Sequence, residues 1–413
     1  METISYAATD VGKVRDNNED RFYRDDTHGV YAVADGVGGK PGGEKASQAI
    51  VDGVDRHAPA FARLLQRTQE KSCGEEGILG DEERDSIFSH LSRALQGINE
   101  EVYRSASVGK FRQGIASTVD LVVVGRRSAF ILHVGDSRVY LIRGDEIFRV
   151  TRDHTYSEYL RQHPELLGED QSLDHFSHVL TRSMGGKPRV EVDRLFVDVM
   201  PGDRLVLCTD GVTDYFTGAD ILEFSQSCDD GELAKILVDG ANARGGKDNA
   251  TALVVDVRDD EDRPFSRAAT RPDTFRSVRF LESVDLFSEL ELPEMIKVLR
   301  FLRSRRTGAD ELVISRHDRV DGLYLLMSGR LAVEIDGEKV DEIDAGGHFG
   351  EFGLFGHPRR VADVRCLEEC EILFLSEENL RRLMQTEPVL GNKLLWKLLS
   401  RTTELIQQMM TES

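Results

Sequence analysis

Three short apolar runs in the first 250 residues each end at an acidic residue. They are residues 29–34 before Asp35, residues 129–134 before Asp136 and residues 204–208 before Asp210. Continuous apolar runs of four to eight residues, rich in β-branched side chains, are typical of buried β-strands. The pattern therefore predicts three strands, and strands that end at one rim of a sheet would bring their carboxylates together.

Helical periodicity lies between the first two of these strands. Residues 44–69 and 85–107 carry apolar side chains at intervals of three and four, which predicts helices that cover the faces of a sheet sandwich. Between them, residues 71–77 are polar and contain glycine, as in a mobile connection. Residues 151–187 hold several histidines and little apolar periodicity, so we expect weak order there.

The pattern changes after the first 257 residues. Residues 258–277 are charged and contain proline without apolar periodicity, which predicts a linker. Beyond it the pattern predicts a helix at 290–303, strands at 311–314, 322–327 and 330–335, and helices from Glu377 onward. The fold class is therefore α+β, with a β-sandwich flanked by helices in a domain at 1–257 and a β-roll with helices in a domain at 278–413.

The last predicted helix, at 389–410, carries Leu394, Leu398 and Trp396 among its apolar residues. Packing within the second domain is the interpretation that we favour for them. Contact with a second copy of the chain, giving a dimer, is the alternative.

Composition narrows the class of partner. The 413 residues include 74 acidic and 53 basic side chains, a net charge of −21, which disfavours binding to nucleic acid because the phosphate backbone would be repelled. Five cysteines without paired spacing indicate neither structural zinc nor a disulfide framework and fit a reducing cytoplasm. No apolar run reaches the ~18 residues of a membrane span, and no leader pattern opens the chain. We expect a soluble, cytoplasmic protein.

Acidic residues beside the apolar runs point to metal chemistry. The five contexts are residues 15–20, 34–39, 135–138, 209–211 and 247–249. Mg²⁺ and Mn²⁺ prefer oxygen ligands, and two such ions held together can clamp a phosphate ester and lower the pKa of a shared water. The alternative is that the Asp-Gly pairs only form turns. Their repeated position at predicted strand ends favours the metal interpretation.

These motifs resemble the metal-dependent PPM-type Ser/Thr protein phosphatases in their bacterial form, over residues 4–257. The matching segments are Gly12-Lys13-Val14-Arg15 through Asn18-Glu19-Asp20, Asp35-Gly36-Val37-Gly38-Gly39, Gly135-Asp136-Ser137-Arg138-Val139-Tyr140, Leu180-Thr181-Arg182-Ser183-Met184-Gly185, Thr209-Asp210-Gly211-Val212-Thr213-Asp214 and Asp248-Asn249-Ala250-Thr251. The resemblance implies attack on phosphorus by a water held between two metals. Residues 151–187 would correspond to the family's flap beside the active site.

The resemblance also implies roles for single residues. Asp35 would bridge two Mn²⁺ or Mg²⁺ ions, the Gly36 carbonyl would bind the second ion, and Asp210 with Asp248 would bind the first. Glu19 and Asp20 would act through metal-bound waters, and Asp136 would hold a third, weaker ion together with Asp210. Arg15 would grip the substrate phosphate, since a planar guanidinium suits two phosphate oxygens; the alternative for Arg15 is a surface ion pair. Arg15, Asp35 and Asp210 are thus the catalytic residues.

The sequence departs from the family next to Asp35. Family members carry a histidine close to the Asp-Gly pair, but this chain has Val37 and Lys40 at the corresponding positions. The proton for the leaving oxygen would then come from metal-bound water, Lys40 or His154. For Lys40 a solvated loop charge, and for His154 a structural hydrogen bond, are the alternatives.

The second domain resembles cyclic-nucleotide-binding domains over about residues 278–385, in Gly350-Glu351-Phe352-Gly353-Leu354-Phe355 and in Pro358-Arg359-Arg360-Val361-Ala362-Asp363-Val364. In this cassette Glu351 would bind the ribose and Arg360 the cyclic phosphate, with Gly350, Val361 and Ala362 beside them. Arg359, directly after Pro358, is the rival for the phosphate. Val361 has no hydroxyl for a guanine, which favours cyclic AMP. A degenerate domain that binds no nucleotide is the alternative.

The sequence thus predicts a phosphatase of phosphoserine and phosphothreonine proteins, the targets of a Ser/Thr kinase, regulated by a cyclic nucleotide. One rival is an inactive phosphatase fold that acts as a scaffold for the sensor. A nucleotide-dependent transcription regulator is disfavoured, because after Leu390 only one helix is predicted and a helix-turn-helix has no room.

Overall fold

The structure is a computed structural model. It describes residues 2–37, 42–72, 79, 81–107, 115–163, 173–229, 231–259, 274–290, 292–299, 301–319, 321–350 and 359–411. The chain divides into two compact units, 1–269 and 270–413. The predicted linker at 258–277 spans this division: the last strand of the first unit ends at Arg258, and the first helix of the second unit begins at Thr274.

The first unit is a pair of five-stranded antiparallel sheets. The strands are β1 (Glu2–Asp10), β2 (Arg21–Asp25), β3 (Val30–Ala34), β4 (Gly36–Val37), β5 (Ala116–Ser117), β6 (Val119–Val124), β7 (Ser128–Val134), β8 (Arg138–Arg143), β9 (Glu146–Arg149), β10 (Asp193–Asp198), β11 (Arg204–Cys208) and β12 (Ala250–Arg258). One sheet has the order β1-β12-β11-β8-β9 and the other β10-β7-β6-β3-β2, while β4 and β5 form a separate short ladder. The three strands predicted before Asp35, Asp136 and Asp210 are confirmed as β3, β7 and β11.

Helices cover both outer faces of the sandwich. The helices of this unit are α1 (Gly43–Ser72), α2 (Asp81–Ser107), α3 (Tyr156–Gln162), α4 (Asp210–Thr213), α5 (Gly218–Ser227) and α6 (Leu233–Arg244), of which α1, α2, α5 and α6 cover these faces. The long α1 and α2, which confirm the two predicted helices, pack on the sheet that contains β3 and β7. The shorter α5 and α6 pack on the sheet that contains β11. The predicted sandwich flanked by helices is confirmed.

Side chains alternate between the two faces of each strand. On β7, Phe130 and Leu132 join the cluster under α1 and α2, whereas Ile131 and His133 are equally buried on the opposite face, towards the other sheet. Two polar residues, His133 and its neighbour Asp120 on β6, are therefore fully buried on this face.

The expectation of weak order at 151–187 is wrong for the described parts of that region. Residues 156–162 form α3, a short 3₁₀ turn follows at Leu173–Phe176, and isolated bridges join Thr155 to Leu180 and Ser117 to Met184. The buried amide of Asn99 on α2 also donates to the carbonyls of Lys187 and Pro188 at 3.0 and 3.2 Å. Local hydrogen bonds replace the apolar periodicity on which the expectation relied.

The second unit combines a β-roll with helices. Its strands are β13 (Leu302–Thr307), β14 (Leu312–Ile314), β15 (Gly322–Ser328), β16 (Arg330–Ile335), β17 (Glu338–Asp344), β18 (His348–Phe349), β19 (Asp363–Cys366) and β20 (Cys370–Ser376). Its helices are α7 (Thr274–Ser283), α8 (Leu292–Leu299), α9 (Glu377–Thr386) and α10 (Pro388–Thr411), with a 3₁₀ turn at Asp285–Phe287. Two four-stranded sheets, β13-β20-β15-β18 and β14-β19-β16-β17, form the predicted roll.

One predicted boundary in this unit is wrong. The helix expected at 290–303 ends at Leu299, and residues 302–307 form β13, which pairs with β20. On α10, Leu394 and Leu398 are buried as the packing interpretation predicts, while the Trp396 residue is 72% exposed. Among the described residues, no helix is both long and apolar enough to cross a bilayer.

Candidate active site

Asp35 directly follows β3, which lies between β6 and β2 in its sheet. Thr118 holds its backbone from both sides: the Asp35 N–H donates to Thr118 Oγ1 at 3.0 Å, and the Thr118 N–H donates to the Asp35 carbonyl at 2.8 Å. Burial, followed by the nearby charges of Asp20 and Asp210, raises the pKa of Asp35 well above its usual range. The backbone that carries this carboxylate is thus fixed close to its acidic neighbours.

The next residue, Gly36, is in close contact with backbone on two sides. A Cβ at this position would lie 2.4 Å from the Gly43 carbonyl and 2.8 Å from the Glu19 carbonyl. Gly43 in turn lies against the Glu19 carboxylate, because a Cβ on Gly43 would be 2.6 Å from Glu19 Oε2. The start of α1 and the Glu19 loop therefore meet beside Asp35, and burial raises the pKa of Glu19 as well.

Asp20 and Asp210 add two more carboxylates. Asp20 is buried and accepts a hydrogen bond from Thr209 Oγ1 at 2.8 Å, so it lies next to the residue that begins the short helix after β11. Burial is the main cause that raises the pKa of Asp20 to about 7, and the charges of Asp210 and Asp248 add to it. The Oδ1 atoms of Asp20 and Asp210 are buried and have no hydrogen-bond partner among the described residues.

Asp248 enters the site through its neighbour Asn249. The Asn249 amide accepts from the Glu19 N–H at 2.8 Å and donates to the carbonyls of Val11 and Asn17 at 2.9 Å. These bonds tie the loop between β1 and β2 to the start of β12. Arg15, on that loop, donates to Asp248 Oδ2 at 2.6 Å, and its side chain is 46% exposed. Arg15 is thus a cation at the solvent-facing edge of the acidic group.

Asp136 follows β7 in a turn that is fixed on both sides. Gly135 has φ 120°, a left-handed conformation that favours glycine, and Ser137 Oγ shares a 2.8 Å hydrogen bond with Thr118 Oγ1. Burial, with Asp210 as the next cause, raises the pKa of Asp136 to about 8. Asp136 therefore lies near Asp210, as Asp20 and Asp35 also do.

The chemistry of this group fits hard divalent cations. Buried carboxylates that raise one another's pKa, and buried oxygens without a partner, need positive charge. Within the described residues, no three Asp, Glu, His or Cys side chains on their own form a group that could hold an ion. Mg²⁺ and Mn²⁺ sites commonly use only one or two carboxylates and complete the shell with water, so pairs of carboxylates with a carbonyl such as that of Gly36 would suffice.

Two histidines of the flap differ in their surroundings. His154 is buried, its Nδ1 accepts from the Gly135 N–H at 3.1 Å, and burial lowers its pKa to about 4. This environment matches the structural alternative rather than a proton donor to the substrate. His178 is exposed, and its Nδ1 lies 3.8 Å from Asp210 Oδ2; the contact with Asp210 raises the pKa of His178 to about 9. Only the fold reveals His178 at the site, and Lys40 lies outside the described residues.

In the second unit, Arg360 is buried and paired. Its guanidinium contacts Asp321 at 2.5 Å and donates to the carbonyls of Gly322 and Gly350 at 2.9 and 2.8 Å. The Arg359 residue is exposed and donates to the His317 carbonyl at 2.9 Å. Ala362 is buried, Val361 is 55% exposed, and Glu351 lies outside the described residues.

Comparisons with known proteins agree with both units. A protein phosphatase 2C family model matches residues 13–238, more than half of the chain, and a cyclic nucleotide-binding domain model matches residues 304–387. The serine/threonine phosphatase Stp of Listeria innocua is 31% identical over 252 residues, which are 60% of this chain and 93% of that protein. The serine/threonine protein phosphatase PstP of Mycobacterium tuberculosis is 30% identical over 257 residues, 62% of this chain and 45% of that protein.

Solved structures give the same result for the first unit. The crystal structure of PstP from Mycobacterium tuberculosis superposes with a TM-score of 0.52 at 27% identity, covering 62% of this chain and all of that one. The serine/threonine phosphatase of S. agalactiae gives a TM-score of 0.51 at 26% identity with the same coverage.

The raised pKa values predict how stability depends on pH without metal. Asp20 and Asp136 keep their protons up to about pH 7 and 8 in the folded state, but only to about 4 when unfolded. Unfolding therefore releases protons in this window, and the metal-free protein should lose stability as pH rises from 4 to 8. Thermal unfolding with a chelator should show a falling midpoint, and added Mn²⁺ should restore it most at pH 8. A midpoint that rises steadily over this range would contradict the assignment.

Proposed function

The chain belongs to the protein phosphatase 2C family, and we propose that it hydrolyses phosphoserine and phosphothreonine esters in proteins with bound Mn²⁺ or Mg²⁺. The observation that carries the proposal is the acidic group itself. Asp20, Asp35 and Asp136 each lie close enough to Asp210 for its charge to raise their pKa, in addition to the effect of burial.

We assign the cations to this group as follows. Asp35 with the Gly36 carbonyl, and Asp210 with Asp248, would hold two ions, while Glu19 and Asp20 would contact them through water. Asp136 with Asp210 would hold a third. When bound, the cations would neutralise charge on the phosphate and lower the pKa of a coordinated water.

The chain's own residues would bind and orient the substrate. Arg15 lies at the exposed edge of the acidic group, where its planar guanidinium can pair with two phosphate oxygens once Asp248 is engaged by a cation. His178 is exposed and near Asp210, so it is placed to contact the substrate from the flap. His154 is buried and already bonded to Gly135, which leaves it no route to the leaving oxygen.

The test of the activity uses the central carboxylate. Asp35→Asn keeps the shape of the side chain but removes its charge, so Mn²⁺-dependent hydrolysis of a phosphothreonine peptide should fall below detection while the fold remains intact. Asp16→Asn, which removes an exposed carboxylate in the neighbouring loop, should leave the rate unchanged. A folded wild-type protein without activity would favour the scaffold alternative, and full activity in Asp35→Asn would reject the metal assignment.

Arg15 provides a second test, which separates binding from chemistry. Arg15→Ala should chiefly raise KM, by about tenfold if the guanidinium contributes ~1.4 kcal/mol of uniform binding to the phosphate. Lys13→Ala, which removes an exposed cation two residues away, is the matched control and should leave KM unchanged. Wild-type KM and kcat in Arg15→Ala would show that the Arg15–Asp248 pair is only a surface ion pair.

The second unit is proposed as a sensor of a cyclic nucleotide, with cyclic AMP favoured. Arg360 supports this because it is a buried cation held at the end of β18, next to Gly350. Its pairing with Asp321 means that a bound phosphate would share or displace that carboxylate. Arg359 is exposed, so we assign the phosphate to Arg360. In the proposed regulation, the empty sensor restrains the phosphatase and cyclic AMP releases it, with a coupling of about 1–3 kcal/mol, or roughly 5- to 150-fold.

Arginine variants test the sensor. Arg360→Lys keeps the charge but loses the planar fork, so cyclic AMP binding by titration calorimetry and the response of the hydrolysis rate should both be lost, while basal hydrolysis is kept. Arg359→Lys is the control and should retain both. Tight binding without a change in rate would reject the coupling, and wild-type protein that binds neither cyclic AMP nor cyclic GMP would show a degenerate domain.

Two further features complete the proposal. Val389, Trp396 and Leu399 are exposed along α10, which supports a dimer formed through this helix. Four described cysteines are free thiols, which supports a cytoplasmic location. The substrates would be phosphoproteins made by a Ser/Thr kinase.

A further inference from the structure

A buried histidine–aspartate pair lies between the two sheets, outside the acidic group. Asp120 on β6 and His133 on β7 face each other in register, and Asp120 Oδ1 lies 2.6 Å from His133 Nδ1. Both side chains are completely buried. Burying such a pair costs desolvation energy that apolar residues of the same size would avoid. Its role is therefore better explained by the contacts that it makes than by a gain in stability.

The other nitrogen of His133 connects the sheet to the flap. His133 Nε2 lies 2.8 Å from the Arg152 carbonyl, which can only accept, so Nε2 carries a proton and donates it. Asp120 fixes the orientation of the ring through Nδ1. His133 Nε2–H therefore donates to the Arg152 carbonyl whether the proton between Nδ1 and Asp120 Oδ1 resides on the histidine or on the aspartate.

Residues 151–154, here called the flap base, lie directly against the turn that carries Asp136. The His154 N–H donates to the Gly135 carbonyl at 2.7 Å, and His154 Nδ1 accepts from the Gly135 N–H at 3.1 Å. Asp153 accepts from Arg138, on the far side of the turn, at 2.8 Å. A shift of the flap base would therefore move Asp136 with it.

We propose that His133 is a positioning residue, which sets the place of Asp136 by donating Nε2–H to the Arg152 carbonyl and so holding the flap base against the Gly135–Asp136 turn. The proposal rests on the phosphatase function proposed above. His133 touches neither substrate nor cation in it; it acts through Arg152 and His154, whose ring centroid lies 4.6 Å from its own.

Two amide replacements separate the two bonds of the ring. His133→Gln can place its amide nitrogen where Nε2 lies and keep the donor to the Arg152 carbonyl. His133→Asn can place its amide nitrogen where Nδ1 lies and keep only the bond to Asp120. Each variant loses one buried hydrogen bond, so a role in global stability alone would lower the unfolding midpoint of both to a similar extent.

The expected result is a clear difference between the two variants. In His133→Asn, kcat should fall by about 10- to 100-fold with little change in KM, and the Mn²⁺ concentration for half-maximal activity should rise, as it should in Asp136→Asn. His133→Gln should keep most of kcat. Hydrogen exchange gives a readout that needs no activity: the His154 amide, which donates to Gly135, should lose protection in His133→Asn and keep it in His133→Gln.

Each other outcome has a definite meaning. Equal kcat and equal His154 protection in the two variants would overturn the positioning role, and so would a failure of both to fold, since His133 would then serve the core as a whole. A wild-type protein that shows no hydrolysis would reject the phosphatase function, while the exchange result would still decide whether His133 holds the flap base.

Discussion

Like charge held at the ends of buried strands is the constraint on which the first unit depends. Asp35 and Asp136 follow strands whose side chains are fully buried, and Asp20 is itself buried. The pKa values of all three rise because burial and the charge of nearby carboxylates both oppose ionisation. The apolar packing of the two sheets and their helices offsets the free-energy cost of holding these carboxylates together. This group of carboxylates is unfavourable without a cation and becomes favourable when a divalent cation binds, so the first unit favours cation binding.

The sequence predicted the structure best where the same short run of residues indicated both a strand and a candidate site residue at its end. The runs before Asp35, Asp136 and Asp210 signalled both a strand and a carboxylate at its end, and all three strands formed. The sequence did not predict contacts between residues that are far apart along the chain. Asn249 binds the loop around Asn17, and His133 binds the Arg152 carbonyl; neither shows a periodicity, because each needs a partner that only the folded sheets bring near. The boundary at 299–302 was missed because the pairing of β13 with β20 overrode a helical pattern.

Hydrogen bonds to backbone explain how a region without apolar periodicity is nevertheless ordered. The flap base is held through the Arg152 carbonyl and the Gly135 N–H, and later flap residues are held through Asn99. These polar anchors fix the two ends of the region. This arrangement suits a segment that borders a substrate site, because its ends stay registered with Asp136 while its exposed face, which includes His178, is not constrained by packing.

The two units differ in how their buried charges are neutralised, and this difference affects how each unit would bind a ligand. The guanidinium of Arg360 is paired within its own unit by Asp321 and by the carbonyls of Gly350 and Gly322. Among the described residues, Asp20, Asp35 and Asp136 form no ion pair with a basic side chain, while Arg15 contacts Asp248 and His178 lies near Asp210. A phosphate that binds Arg360 must compete with an existing ion pair, which favours modest affinity and easy release. A cation that binds at Asp35 relieves repulsion, so its binding and the stability of the fold are linked in the same direction.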